Sequence, residues 1–253
     1  MTLLVGYPVK LRADDVMHLA VTLARSTGED LVVAVITPAP WMPGMSRADQ
    51  GYRAYIDELV SDAHAAARAH VPADISARYV SAAARSVPAG LMDAAAAAGA
   101  DAIVVGSSDD GRPGEVALSS VADRLLHSAQ VPVAVATRGY PADIPGITRV
   151  TLAFTGGAQN LVLLAFARAL ASRYGCPLRL VSFAVHLSPP EVARFNTESG
   201  QVLAEWTENI YAAAERALDD NPGDTPRPEI VIGHGEDWDD AKRALEPTGG
   251  DYA

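Results

Sequence analysis

Along the first 137 residues the apolar positions switch between two spacings. Continuous apolar runs stand at residues 2–6, 31–36, 102–105 and 131–136, and residues 75–80 read as a further short strand. Runs of Val, Ile, Leu and Ala without polar alternation suit strands covered on both faces of a parallel sheet. Between them the spacing lengthens to that of a helix. Residues 13–26 set Val16, Leu19, Ala20 and Leu23 on one face, carry Asp14 and Asp15 in the first turn, and are followed by Gly28. Acids early and glycine late are the marks of a helix start and a helix stop. Residues 50–70 predict a second helix, 87–98 an Ala-rich third that stops at Gly99, and 116–127 a fourth. Pro38, Pro40 and Pro43 force a loop after the second strand. Strands alternating with helices predict an α/β fold, a Rossmann-like doubly wound parallel sheet with right-handed crossovers.

The pattern then begins again. Residues 139–146 (GYPADIPG) hold two prolines and two glycines and read as a linker. Residues 149–154 repeat the first strand, 160–174 the first helix, 178–185 the second strand and 202–218 the second helix. Residues 229–233 and 238–245 complete a third strand and third helix. Matching order and spacing mark an internal duplication, so two tandem repeats are expected. The first would be a complete five-stranded domain at 1–138 and the second a three-stranded domain at 147–253. Asp251, Tyr252 and Ala253 stand where Asp101, Ala102 and Ile103 stand in the first copy. A fourth strand, its loop, a fourth helix and a fifth strand are therefore not expected in the second copy, nor is a nucleotide there.

The densest chemistry lies at residues 100–138. A strand runs into Gly106, Ser107, Ser108, Asp109, Asp110, Gly111, Arg112, Pro113 and Gly114, and a helical pattern follows. Backbone N–H groups and a helix dipole at such a turn hold anions. Gly106, Asp109, Ser119 and Ser120 occupy the four signature positions of G-x2-G-x9-G-[S/T], and VPVAV comes after. Together these resemble the nucleotide-binding loop of the universal stress protein family. The pairing of LLVGYP with the later RVTLAF is similar to the actinobacterial tandem type, with the second domain incomplete. The resemblance implies the adenine-nucleotide alpha-hydrolase-like form of the fold.

In ATP-binding members the loop cradles phosphate and ribose, which implies Gly106, Ser107, Ser119, Ser120 and Val121 as nucleotide contacts here. A backbone group at the end of the second strand holds the adenine, and the matching residue is Val35. Ser119 stands for the third glycine but still offers a backbone N–H, and two further positions depart from the pattern. Pro8 stands where binders carry an Asp, and Asp109 replaces the second glycine. A carboxylate facing a phosphate at ~4 Å, with an effective dielectric near 20, opposes binding by roughly 4 kcal/mol before screening. The resemblance thus implies a non-enzymatic, stress-response regulatory protein with a degenerate loop and no cofactor, ATP being the one to test. The alternative it implies is a working ATP- or AMP-binding member with slow hydrolysis. It also implies a homodimer, paired antiparallel through the strand from Val131 to Ala136.

Composition narrows this little further. A formal charge of −11 over 253 residues argues against nucleic acid and anionic membrane as partners. The single cysteine, Cys176, precludes an internal disulfide and reads as a small buried apolar residue. The start runs straight into LLVGY without a basic segment, and no apolar run reaches membrane length, so a cytoplasmic protein is expected. No catalytic set emerges. His18, His64, His70 and His127 fall in helical patterns, with no G-x-S-x-G nucleophile to serve. His234, Gly235, Glu236 and Asp237 read as a strand end and a helix cap rather than a metal site. Trp41 and Trp238 read as packing residues.

Overall fold

The computed structural model describes residues 2–9, 13–39, 47–157, 159–185, 196–223 and 226–245. The chain forms two compact units, Met1–Gly146 and Ile147–Ala253.

The first unit runs β1 (Thr2–Gly6), α1 (Asp14–Thr27), β2 (Asp30–Pro38), α2 (Arg47–Arg68), β3 (Ala77–Ala84), α3 (Val87–Ala98), β4 (Ala102–Gly106), α4 (Ser120–Ser128) and β5 (Val133–Ala136). All strands are parallel in the order β3-β2-β1-β4-β5. The order reverses at β1, and the carboxyl ends of β1 and β4 open the crevice where this class of sheet takes ligands. Seven of the nine residues of β2 are buried, because both faces of the sheet are covered. On one face Val16, Met17 and Ala20 of α1 pack against Val5, Val33 and Val104. On the other Leu91 and Ala95 of α3 meet Leu4, Val32 and Ile103, joined by Leu125 of α4. Gly90 lets α3 come close: a Cβ there would lie 2.5 Å from Cγ2 of Ile36.

Three local features differ from the reading of the sequence. Helix α4 begins at Ser120, four residues later than the apolar pattern suggested, because the backbone at Ala117 is tied to the end of β4. Helix α2 ends at Arg68, leaving His70 in the turn beyond it. Residues 139–146 fall within the first unit, where Tyr140 is only 7% exposed and Ile144 packs on the same core.

The second unit repeats the frame as β6 (Val150–Ala153), α5 (Gln159–Tyr174), β7 (Leu178–Val185), α6 (Asn196–Asp220), β8 (Glu229–Gly235) and α7 (Trp238–Arg243). Among the described residues its sheet has three parallel strands, β6-β7-β8. The local devices recur. Gly28 and Gly175 follow α1 and α5 with φ of 68° and 64°, a left-handed conformation that favours glycine. Tyr7 N–H donates to Ala34 O at 3.0 Å, and Phe154 N–H to Val181 O at 2.8 Å. No helix of the described residues is long and apolar enough to cross a membrane.

Candidate functional site

The loop between β4 and α4 is fastened at three places. The Ser107 hydroxyl donates to Ala117 O at 2.9 Å and accepts from Ala117 N–H at 2.6 Å, while Ser108 N–H donates to the same carbonyl at 2.7 Å. Arg138, just past β5, donates through Nη1 to Asp109 O at 2.7 Å and Gly111 O at 2.5 Å. Its backbone closes the third link: Gly114 N–H donates to Arg138 O at 2.7 Å and Arg138 N–H to Glu115 O at 3.0 Å. Gly114 has φ 81°, which an L side chain rarely adopts. Beside this, Asp15 Oδ2 of α1 accepts from Gly139 N–H at 3.0 Å. The loop is therefore held in one shape by its own chain. Arg138 was not legible as a loop residue, since it acts from a distant position in the sequence.

Each residue implied by the resemblance can now be placed. Ser119 caps α4, its Oγ accepting from Ala122 N–H at 3.2 Å, in an extended conformation typical of a cap. Ser120 opens the helix and is exposed, and Val121 is half-buried against the α3 side of the core. The N–H groups of Ser120 and Val121 belong to the first turn, where a helix offers no backbone partner. Gly106 ends β4. Its φ is not positive and a Cβ there would meet only Val16 Cβ at 3.9 Å, so neither a tight turn nor packing requires glycine. Asp109 and Asp110 are exposed. Water then reduces the opposition of each to a phosphate toward ~1 kcal/mol at ~4 Å.

Val35 is fully buried within β2, which continues to Pro38. Leu31 N–H donates to Ser76 O beside β3, while Ala34 O accepts from Tyr7 at the end of β1. Backbone groups alternate along a strand, so Val35 turns its N–H and C=O to β3. Ile36, the next residue, turns its backbone groups toward β1. Pro8 follows β1 and supplies neither carboxylate nor N–H.

The histidines serve as fasteners. A carbonyl only accepts, so each ring nitrogen facing one carries its proton. His18 Nδ1 donates to Tyr140 O at 2.9 Å, His64 Nε2 to Val80 O at 3.1 Å and His127 Nδ1 to Asp123 O at 2.8 Å. His70 Nε2 lies 3.1 Å from Asp14 Oδ1, and its ring meets that of His18 edge-on at 5.2 Å. In the second unit Asp237 caps α7, its Oδ1 accepting from Asp240 N–H at 2.8 Å. Trp238 is 54% exposed with its ring 5.5 Å from that of Phe183. Trp41 lies outside the described residues. Cys176 is half-buried rather than buried, and desolvation still pushes its thiol above the ordinary value. Among the described residues no group of three or more His, Cys, Asp or Glu could hold a metal ion.

A family model described as the universal stress protein family matches residues 1–137. A universal stress protein of Mycobacterium tuberculosis strain H37Rv is 34% identical over 223 residues, covering 85% of this chain and 76% of the relative. One from Mycobacterium bovis matches to the same extent. A universal stress protein structure from Archaeoglobus fulgidus DSM 4304 covers 92% of this chain and 78% of its own, with 14% identity and a TM-score of 0.54, a likeness of fold. The strand order, the loop after β4 and these matches agree: the chain belongs to the universal stress protein family.

Proposed function

We propose that this chain is a non-enzymatic, stress-response regulatory protein whose nucleotide loop is degenerate. The observation that carries the reading is the internal use of the loop's polar groups. The Ser107 hydroxyl serves Ala117, the Ser119 hydroxyl serves Ala122, and the Arg138 guanidinium serves the carbonyls of Asp109 and Gly111. The departures at Pro8 and Asp109 act in the same direction, removing one contact and adding one repulsion. No nucleophile–base pair supports catalysis, and no cofactor is assigned.

A second reading has one observation in its favour. Gly106 is glycine without a conformational or packing need, and the first turn of α4 presents the N–H groups of Ser120 and Val121. Both would suit a phosphate of ATP or AMP. The two readings separate in the double variant Pro8→Asp, Asp109→Gly. The first predicts at least about tenfold tighter ATP binding than the parent chain, by calorimetry with magnesium. Equal affinity in the two proteins would overturn it.

The proposed assembly is a homodimer through β5, the strand that follows Val131 and Pro132 and ends at Ala136. It forms one edge of the first sheet, and an uncharged edge recruits a partner strand. Light scattering is expected to read a mass that Val133→Lys lowers.

A further inference from the structure

The sheet of the first unit ends on β5 at one side and on β3 at the other. Among the described residues β3 pairs only with β2. Natural sheet edges are kept short, bent or heavily charged. Strand β3 is eight residues long against four in β5, and its second half, from Ser81 to Ala84, carries no charge. The carbonyls of Ser76 and Ala84 accept from Leu31 and Ala39 on the β2 side. Strand alternation therefore turns the N–H and C=O groups of Ala77, Tyr79, Ser81 and Ala83 outward, as a template for one more strand.

A cavity of about 300 Å³ opens beside this edge. Ser81 and Ala83 form one wall and Ile56 and Val60 of α2 an apolar one, with Arg53 and Asp57 also lining it. Its described lining includes nothing from β1, β4 or the loop after β4, so it is separate from the crevice at the switch point. Tyr79 packs on the α2 side of the sheet and Val80 on the α3 side, which puts Ser81 and Ala83 on the α2 side. A strand added to β3 lies ~4.8 Å farther out, so its side chains on that face reach the cavity mouth. The charges around the edge are mainly positive. Residues 75–92 include Arg78 and Arg85 and no acid. Arg53 and Arg68 of α2 outnumber Asp57, and Arg68 stands over the Tyr79 ring at 4.2 Å. Asp74, just before β3, is engaged by Arg25 at 3.5 Å. At physiological salt the Debye length is ~8 Å, so these neighbours outweigh the −11 of the whole chain.

We propose that β3 takes an extended acidic peptide as a further strand of the sheet. Its apolar side chains turn toward α2 and the cavity, and its carboxylates lie on the face that carries Arg78. Main-chain bonds to Ser81, Ala83 and their outward neighbours supply the affinity, and the cavity and the arginines select the sequence. A second copy of the chain is the poorer occupant. Two β3 strands, antiparallel about a two-fold axis at Ser81, set each Arg78 opposite Ala84 and one residue from Arg85 of the other copy. Like charges so placed oppose pairing, whereas a carboxylate there is favoured.

The probe is a capped octapeptide of alternating valine and glutamate with a fluorescent label, added to the full 253-residue chain. Fluorescence anisotropy is expected to give a dissociation constant below about 100 μM, with the valine–lysine peptide at least about tenfold weaker. Ser81→Pro removes an outward N–H and leaves the ladder to β2 intact. It is expected to weaken binding at least about tenfold with an unchanged melting temperature. Arg78→Glu is expected to reverse the preference between the two peptides. No binding at about 1 mM peptide, equal binding of both peptides, or indifference to Ser81→Pro overturns the proposal. So does a dimer of the chain that Ser81→Pro dissolves, since a second copy then occupies the edge. If Ser81→Pro lowers the melting temperature, methylated peptides decide on the unmodified chain. N-methylation of one alternate set of peptide amides is expected to abolish binding and of the other set to spare it. Equal effects of the two sets overturn the proposal.

Discussion

The two units build one β-α-β-α-β-α frame, and they differ in what stands beside its first strand. In the first unit β1 is central, flanked by β2 and β4. In the second, among the described residues, β6 has only β7. Residues 147 apart correspond between the units, as Gly28 with Gly175 and Tyr7 with Phe154 show, and the same helix flank is consequently core in one and surface in the other. Burial here is set by the neighbour rather than by the helix's own residues: Leu163 and Phe166 are larger than or comparable to Val16 and Leu19, yet remain half in water. The crevice at the strands' carboxyl ends obeys the same rule. It lies where the strand order reverses between β1 and β4, and it needs the loop that β4 launches.

Matched substitutions test this directly. Val16→Asp places an unpaired carboxylate in the core and is expected to cost about 3–5 kcal/mol. Leu163→Asp, at the equivalent position, is expected to change stability by less than about 0.5 kcal/mol in dilute protein. Denaturant unfolding of the two variants gives the comparison, and similar costs would break it.

A smaller effect is expected at the loop. Arg138→Ala removes the guanidinium bonds to Asp109 and Gly111 and is expected to destabilise the loop by about 1–2 kcal/mol. Hydrogen exchange over residues 107–119 should accelerate while the second unit is unaffected.

The smallest effect is alkaline. Burial pushes the phenols of Tyr140 and Tyr174, one in each unit, above the ordinary value of 10.0. Their contribution is fully present below pH 10 and is lost as pH rises through the raised folded value. Tyr140→Phe is expected to flatten the alkaline fall of the first unit's melting temperature and to leave the second unit's slope unchanged.

The strands of the first unit were legible because strands covered on both faces become continuous apolar runs. The helix stops were legible because Gly28, Gly99 and Gly175 take a left-handed conformation. The start of α4 was not. Val116 and Leu118 look like a helix face, yet they are 48% and 51% exposed, since the Ser107 clamp on Ala117 holds that stretch out of the helix. Tyr140 was hidden in a Pro- and Gly-rich segment whose composition suggests a linker, while its ring fills the core beside α1. In the loop after β4, the spacing singled out Gly106, Ser119 and Ser120 but not Arg138, whose contacts span 27 and 29 residues.

The degenerate loop is tested most directly by titrating the unmodified chain with ATP and magnesium in a calorimeter. The account predicts no saturable heat at low-micromolar nucleotide. A dissociation constant in the low-micromolar range would contradict it and favour the ATP-binding reading through Gly106, Ser120 and Val121.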